Sequence, residues 1–573
     1  MMRSLLIFCC LFGGHALAQE PVPSIALNQL GYWPASPKEA VIIGNINAKR
    51  FYLLGANADT VYKGDLPAGR KAELADQIVR IADFSSFKKT GRYKLYVPGV
   101  GSTPVEIQKN VFDHLSKSVI KAYYFQRASM PLDAKYAGKW ARAEGHPDNE
   151  VLVHPGAATS KRPAGRKIST PGGWYDAGDY NKYIVNSGIT MGTLLSAYEE
   201  FPGHFDYQQI DIPSTKKGLP ALLEECLYNL RWMLSMQDPD DGGVYNKCTH
   251  AHFDGMVMPA ASRLPRYVVA KGTAATLDFA AVMAQASRIY RNQVPSFADS
   301  CLQASRAAYK WALMNPAVAY DQDQLNTKFE PKITTGGYGD HSFEDEWFWA
   351  SCELYVTTTE TVYAEKLKQW LDKDFQIPSW SNVHMLGVYT LLRFQAPWGL
   401  ELASRLLDYA KTFVSAQQQN PYGCPMGNQA KDFNWGSNAN AANQGVLLIK
   451  AYQLSNDRVY LDAALSNLDY LLGKNATGYC FVTGAGQKSP MHPHHRPSEA
   501  DGITDPVPGW LVGGPNTGMQ DRCKYPSKLP ARAYTDQSCS YASNEVAINW
   551  NAPLVYLTNA LVALKQTAGY VSR

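Results

Sequence analysis

Two aspartates three residues apart, Asp176 and Asp179, sit in the stretch Gly172-Gly173-Trp174-Tyr175-Asp176-Ala177-Gly178-Asp179-Tyr180, between glycines and three large aromatics. A carboxylate that activates water must be held still, and a polymeric sugar must lie against flat apolar faces while polar groups read its hydroxyls. The segment offers both, so its residue types point to carbohydrate chemistry. On its own, an Asp-x-x-Asp pair is more often a turn in which each side chain bonds its own backbone.

The rest of the chain raises the pair above a turn. Far downstream, Ser540-Tyr541-Ala542-Ser543-Asn544-Glu545-Val546-Ala547-Ile548-Asn549-Trp550-Asn551 supplies a third carboxylate, and Met491-His492-Pro493-His494-His495-Arg496-Pro497-Ser498 lies between. These segments, in this order, closely resemble glycoside hydrolase family nine, the inverting cellulases. The likeness runs from about Ile25 almost to the C-terminus, with further landmarks at Gly242-Gly243-Val244-Tyr245-Asn246-Lys247, Phe433-Asn434-Trp435-Gly436-Ser437-Asn438 and Gly513-Gly514-Pro515-Asn516.

The resemblance implies a secreted inverting endoglucanase that cleaves β-1,4-glucosidic bonds in cellulose-like glucans. Asp179 is then the base, Asp176 its partner in orienting the water, and Glu545 the acid. Inversion asks for the acid and base to stand ~6.5–9.5 Å apart so that water fits between base and sugar. Asp176 and Asp179 should titrate as a coupled pair. Glu545 raises a conflict: with Ser543 or Asn544 as N-cap of the apolar segment that follows, a helix N-terminus would favour its ionised form. Burial beside Tyr541 and repulsion from the aspartates would have to raise its pKa instead. Alternative readings are an exo-acting cellodextrinase or glucosaminidase on the same scaffold, and a non-catalytic sugar-binding protein. The last would be expected to have lost one of the three carboxylates.

His494 and Arg496 are the expected sugar-hydroxyl contacts. A zinc reading of His494 and His495 is disfavoured because Arg496 would repel a divalent ion. Trp174, Trp380, Trp435 and Tyr541 are candidates for stacking on sugar rings, with core burial as the alternative for about half of them. Tyr245 is a further substrate-binding candidate. The chemistry needs no cofactor. A structural calcium is expected at Asp340, Asp345 and Glu346, since hard cations want several oxygens; an acidic first helical turn is the alternative. Cys248, His250 and His252 do not have a structural-zinc spacing.

The elements that must position these residues change character near residue 110. From Pro23 to about Gln108, short alternating strands separated by Gly, Asn, Asp and Pro turns predict a small antiparallel sandwich. After Val111 the period is helical, with about twelve stretches near 111–127, 187–201, 219–237, 272–290, 297–314, 344–359, 361–371, 385–396, 398–418, 438–455, 457–472 and 550–567. Periodicity alone says all-α and large; the resemblance implies an all-α six-fold α/α barrel preceded by an all-β immunoglobulin-like sandwich. The expected domains are a signal peptide at 1–18, the sandwich at 19–110 and the catalytic barrel at 111–573. Two stretches, 128–186 and 474–549, are too long for ordinary loops and too aromatic for disorder, so they should wall the cleft.

Arg3, the apolar run Leu5–Phe12 and Ala16-Leu17-Ala18 read as a secretory signal, which places the mature chain outside the cytoplasm, secreted or periplasmic. The formal net charge is +4, and no Lys/Arg cluster exceeds a pair, so a nucleic-acid partner is not expected. Nor is a membrane one after signal cleavage; the partner is a β-1,4-glucan or cello-oligosaccharide, and the enzyme should act as a monomer. Eight cysteines remain after cleavage. Cys523 and Cys539 are the most local candidates to pair, while Cys226, Cys301 and Cys352 lie on apolar helical faces.

Overall fold

The computed structural model describes residues 23–572. The expected signal peptide lies outside the described residues. Strands Ser24–Leu27, Glu39–Ile43, Gln77–Asp83 and Arg70–Ala72 form one antiparallel sheet in that spatial order. Thr60–Asp65, Arg50–Leu54, Gly91–Val97 and Gly101–Ile107 form a second.

Side chains alternate across a strand, and the strand Glu39–Ile43 shows how the sandwich is joined to the helical domain. Ala40 and Ile42 point into the sandwich core with Phe51, Leu53, Leu95 and Val97. Their neighbours Val41 and Ile43 belong to the core of the helical domain. Both faces of the sheet are covered, so the strand reads as an unbroken apolar run, Ala40-Val41-Ile42-Ile43, where a one-sided strand would alternate. Trp33 is buried at the same junction, with its ring 4.8 Å from Phe112 and stacked 5.6 Å from Tyr570. Polar contacts add to it: Asn28 Nδ2 donates to Asp469 at 2.7 Å, and Lys474 pairs with Glu39 at 2.9 Å.

Among the described residues, twelve helices build the barrel. Six are buried nearly all round: Ile184–Glu200, Thr273–Ile289, Glu344–Thr358, His384–Arg393, Ser437–Ser455 and Ile548–Leu564. The other six, Asp113–Phe125, Ala221–Ser235, Pro295–Met314, Thr361–Leu367, Gly399–Gln419 and Arg458–Leu471, pack on the first set and bury one face. A helix apolar on every side belongs inside, and a striped one covers it. Small residues let the inner helices approach; a Cβ on Gly192 would lie 2.5 Å from Trp349. This is the α/α barrel behind an immunoglobulin-like sandwich that the resemblance implies.

At one end of the inner helices a buried ionic network joins Glu199 and Glu200 to Arg288, Arg393 and Lys450. At the other end the long connections gather. They are not structureless: Lys167–Ile168, Val151–Val153, Arg266–Val268, Lys247–His250 and Lys182–Tyr183 form a five-stranded sheet in that order. Cys523 and Cys539 are disulfide-bonded, whereas Cys226, Cys301 and Cys352 are free and buried.

Candidate active site

The segments that immediately precede five inner helices meet around one cavity of about 960 Å³. Asp176, Asp179 and Tyr183 come before Ile184, Tyr338 before Glu344, Trp380 before His384, Trp435 before Ser437, and Glu545 before Ile548. Helix N-termini carry partial positive charge, so this end of the barrel is the one suited to anionic side chains.

Asp176 and Asp179 are buried, and each is held by neutral donors. Asn186 Nδ2 donates to Asp176 Oδ1 at 2.7 Å and the Tyr338 hydroxyl to Asp176 Oδ2 at 2.8 Å, so both Asp176 oxygens are occupied. Asp179 is different. Its Oδ2 accepts from Asn181 Nδ2 at 2.6 Å and the Tyr183 hydroxyl at 3.1 Å, while its Oδ1 is buried without a partner. One oxygen of Asp179 is therefore left to a water. Burial, and then the Asp179 charge, raise the pKa of Asp176. The glycine between the aspartates is required by a close approach: a Cβ on Gly178 would lie 2.1 Å from the His494 carbonyl oxygen.

Glu545 reaches the same cavity from another segment. The expected helix N-terminus at this residue is not observed, because the helix begins at Ile548 with Ala547 as its cap. Glu545 instead lies in extended chain bridged to His494, and its neighbour Val546 is bridged to Val512. Freed from the helix end, its carboxyl is governed by burial and by the Asp179 charge, which push its pKa well above the usual carboxylate range. Arg496 opposes that shift and the Gly178 amide, which donates to Glu545 Oε1 at 3.3 Å, does so weakly. The outcome is a carboxyl that favours its protonated form.

His494 and Arg496 both line the cavity. The His494 Nδ1 meets the Ser538 carbonyl at 2.6 Å, which makes Nδ1 the protonated nitrogen and leaves Nε2 as an acceptor. Arg496 spends its guanidinium on carbonyls, Gly178 O at 2.7 Å and Asp254 O at 2.9 Å and 3.0 Å, and thereby ties three segments together. His495 turns away, to Gln126 and Ser498.

Of the stacking candidates, Trp380, Trp435 and Tyr541 line the cavity. Trp435 and Tyr541 are exposed, with rings 5.6 Å apart and tilted 34°, and Trp380 packs edge-on against Tyr338. Trp174 and Tyr245 are corrections to the expectation. Trp174 is wholly buried, with its indole N–H donated to Glu225 at 2.8 Å and its ring 4.6 Å from Tyr123. Tyr245 is also wholly buried, its hydroxyl on Asp238 at 3.3 Å and the Arg162 and Lys271 cations over its ring. Each polar atom is satisfied inside the protein, so neither ring has a face for substrate.

Five site residues escaped the sequence reading. Tyr338, Tyr183, Asn181 and Asn186 orient the aspartates, and Phe253 lines the cavity with its ring 5.7 Å from the Arg496 guanidinium. Asn181 and Tyr183 stand two and four residues after Asp179, a polar spacing that could have flagged them. Nothing local marks Tyr338.

Asp345 and Glu346 lie in the first turn of Glu344–Thr358, with Asp340 just before it. The structure adds Asp278 to this group. Both Asp278 oxygens, both Glu346 oxygens and Asp340 Oδ2 are buried without partners. Burial, followed by repulsion from neighbouring carboxylates, raises the pKa of Asp278 and Glu346. Asp345 is partly provided for, since its Oδ2 accepts the Val383 amide at 2.8 Å. An all-oxygen group with unpartnered atoms fits a hard cation. Among the described residues, the set with three ligand atoms within 4.8 Å of one another is elsewhere, at His146, His250 and Asp254. There the fit is poor, because Arg266, Lys182 and Arg142, which depress the His146 pKa after burial has done so, would equally repel a divalent ion.

Comparison with known proteins follows the same lines. Residues 112–558 match Glycosyl hydrolase family 9, and residues 20–102 match the cellulase N-terminal ig-like domain. A xyloglucan-specific endo-beta-1,4-glucanase of Bacteroides ovatus is 45% identical over 97% of this chain and 98% of its own. Endoglucanase D of Acetivibrio thermocellus is 33% identical over 93% of this chain and 82% of its own. A solved Bacteroides ovatus GH9 structure superposes with a TM-score of 0.90 at 44% identity, covering 95% of this chain and 99% of that one. With its carboxylates gathered in one cleft, the chain belongs to glycosyl hydrolase family 9 and is an endo-β-1,4-glucanase.

Proposed function

We propose that Asp179 is the general base, Asp176 the residue that shares and orients its water, and Glu545 the general acid. The observation that carries this is the asymmetry within the carboxyl group of the cleft: Asp179 keeps one bare oxygen, Asp176 has none, and Glu545 favours its proton. Water held by Asp179 Oδ1 attacks the anomeric carbon and gives up a proton to that carboxylate. Glu545 meanwhile protonates the departing glycosidic oxygen. Trp380, Trp435 and Tyr541 provide ring faces, and His494 Nε2 accepts from a sugar hydroxyl.

The substrate is a β-1,4-glucan bearing side chains, of the xyloglucan kind. Support comes from the xyloglucan-specific relative and from a cleft rim where Phe253, Trp435 and Tyr541 stand exposed, which leaves flat surface beside the main chain for substituents. A structural calcium bound by Asp345, Glu346, Asp340 and Asp278 completes the reading. The protein acts outside the cytoplasm, in keeping with the Cys523–Cys539 disulfide.

Asp179→Asn and Glu545→Gln each remove a proton-transfer group and almost no volume. Both should lower kcat by at least ~10²-fold while oligosaccharide binding and the fold persist. Near-parental turnover by either variant would reject its role. Initial rates on xyloglucan against unsubstituted soluble glucan decide the substrate, and equal or faster cleavage of the bare chain would reject the branched-substrate reading.

A further inference from the structure

Strand Lys247–His250 runs antiparallel to Lys182–Tyr183, with Lys247 opposite Tyr183. The Lys247 ammonium is wholly buried, yet no carboxylate touches it. Its three hydrogens go to Gln322 Oε1 at 2.6 Å, Gly336 O at 2.6 Å and Thr335 Oγ1 at 3.2 Å. A buried charge without a directly paired counter-charge is costly. Burial pulls the Lys247 pKa down to about 7, and the Asp179 charge is what opposes that.

The Lys247 Nζ stands 5.4 Å from the centre of the Tyr183 ring, and the Tyr183 hydroxyl donates to Asp179 Oδ2 at 3.1 Å. A cation beside a phenol ring strengthens its O–H as a donor. The same hydroxyl accepts the Gly336 amide at 3.1 Å, from the residue whose carbonyl Lys247 holds. Two residues along that turn, Tyr338 donates to Asp176. One ammonium thus anchors the two tyrosines that orient the two aspartates.

We propose that Lys247 is a positioning residue for hydrolysis: through Tyr183 and the Thr335–Gly336 turn, its buried ammonium orients Asp179 with one oxygen free for water. This rests on the reading of Asp179 as the base. The charged and titratable groups around Asp179 fit it. Asp176 and Glu545 are both pushed toward their protonated forms, His494 is kept neutral by burial, and Arg496 holds the Gly178 carbonyl beside Asp179 while opposing the shift of Glu545. Around Lys247 itself, Tyr183, Tyr320, Gln322 and Thr335 are neutral, which leaves Asp179 as the charge it serves. Below neutral pH the ammonium is protonated, so its charge is in place throughout the range where a carboxylate titrates.

The experiment is the pH profile of kcat/KM on a soluble β-1,4-glucan, with Tm recorded for each variant. The acid limb reports the base in the free enzyme. Lys247→Met and Lys247→Gln should move that limb upward by about one pH unit, a loss that approaches roughly tenfold at pH values well below the limb; Lys247→Arg should hold it near the parental position. Tyr183→Phe keeps the charge and removes the relay, and should also move the limb upward. Folded Met and Gln variants with a parental acid limb would overturn the proposal, because a structural lysine would lower kcat or Tm and leave the limb in place. Should no Lys247 variant fold, a parental limb in Tyr183→Phe would overturn it. Failure of the underlying reading is seen separately, as turnover retained by Asp179→Asn.

Discussion

At the scale of single residues, the burial that prepares Glu545 to give a proton also works against the fold at neutral pH. Its folded pKa lies above the unfolded value near 4.5, so the associated stability is fully present below that pH and is lost as pH rises toward the folded pKa. Glu545→Gln should therefore melt a few degrees higher than the parent at pH 7 to 8, with the difference closing near pH 4. Thermal melts across that range check it, and a pH-independent difference would mean that the carboxyl ionises freely in the folded state. The sequence carried the carboxylates themselves but not their surroundings. Asp176, Asp179 and Glu545 stand in recognisable strings, whereas Tyr338 and Lys247 act across distances in the chain that no local pattern spans. Trp174 shows the reverse error: it sits beside the aspartates in sequence, yet its indole N–H is claimed by Glu225 on another helix. Glu545 was misplaced onto a helix end because the helix starts only three residues later, and a boundary read from pattern is uncertain by that much.

At the scale of elements, the three carboxylates and the stacking rings hang on connections that enter inner helices, and the acidic cluster at Asp278, Asp340, Asp345 and Glu346 binds two such connections together. Asp345 is in the first turn of one inner helix and accepts the amide of Val383, the residue before the next. A bound cation would neutralise carboxyls that otherwise repel one another and would stabilise the native state alone. Chelation should lower Tm by several degrees while residual activity at low temperature persists, and Asp345→Ala should show the lower Tm without chelator. Unchanged melting after chelation of protein that elemental analysis shows to hold calcium would reject the role. Helical period located all twelve barrel helices. It could not reveal the five-stranded sheet of the 128–186 region and its neighbours, since strands of two to four residues are too short for a period of two to register.

At the scale of the whole molecule, the sandwich is a structural partner of the barrel. Its Trp content points the same way, because Trp33, the single Trp between Pro23 and Gln108, is buried against Phe112 and Tyr570 and unavailable to a cellulose surface. Deleting residues 19–108 would bare Phe112, Tyr570 and the barrel surface beneath Val41 and Ile43, and should lower Tm and solubility together. Trp33→Ala should cost ~3–5 kcal/mol, the range for a large buried aromatic. A deletion protein that melts like the parent and loses only its binding to insoluble cellulose would make the sandwich a targeting module instead. The stacking of Trp33 on Tyr570 has a consequence in time. Trp33 and Tyr570 lie at opposite sides of the whole helical domain in the chain, so the sandwich cannot cover its second face until the helices between them have been made. Until then that face remains a sticky surface awaiting its cover, and the docking of two segments so distant in sequence is a late, long-range closure of the kind that slows folding.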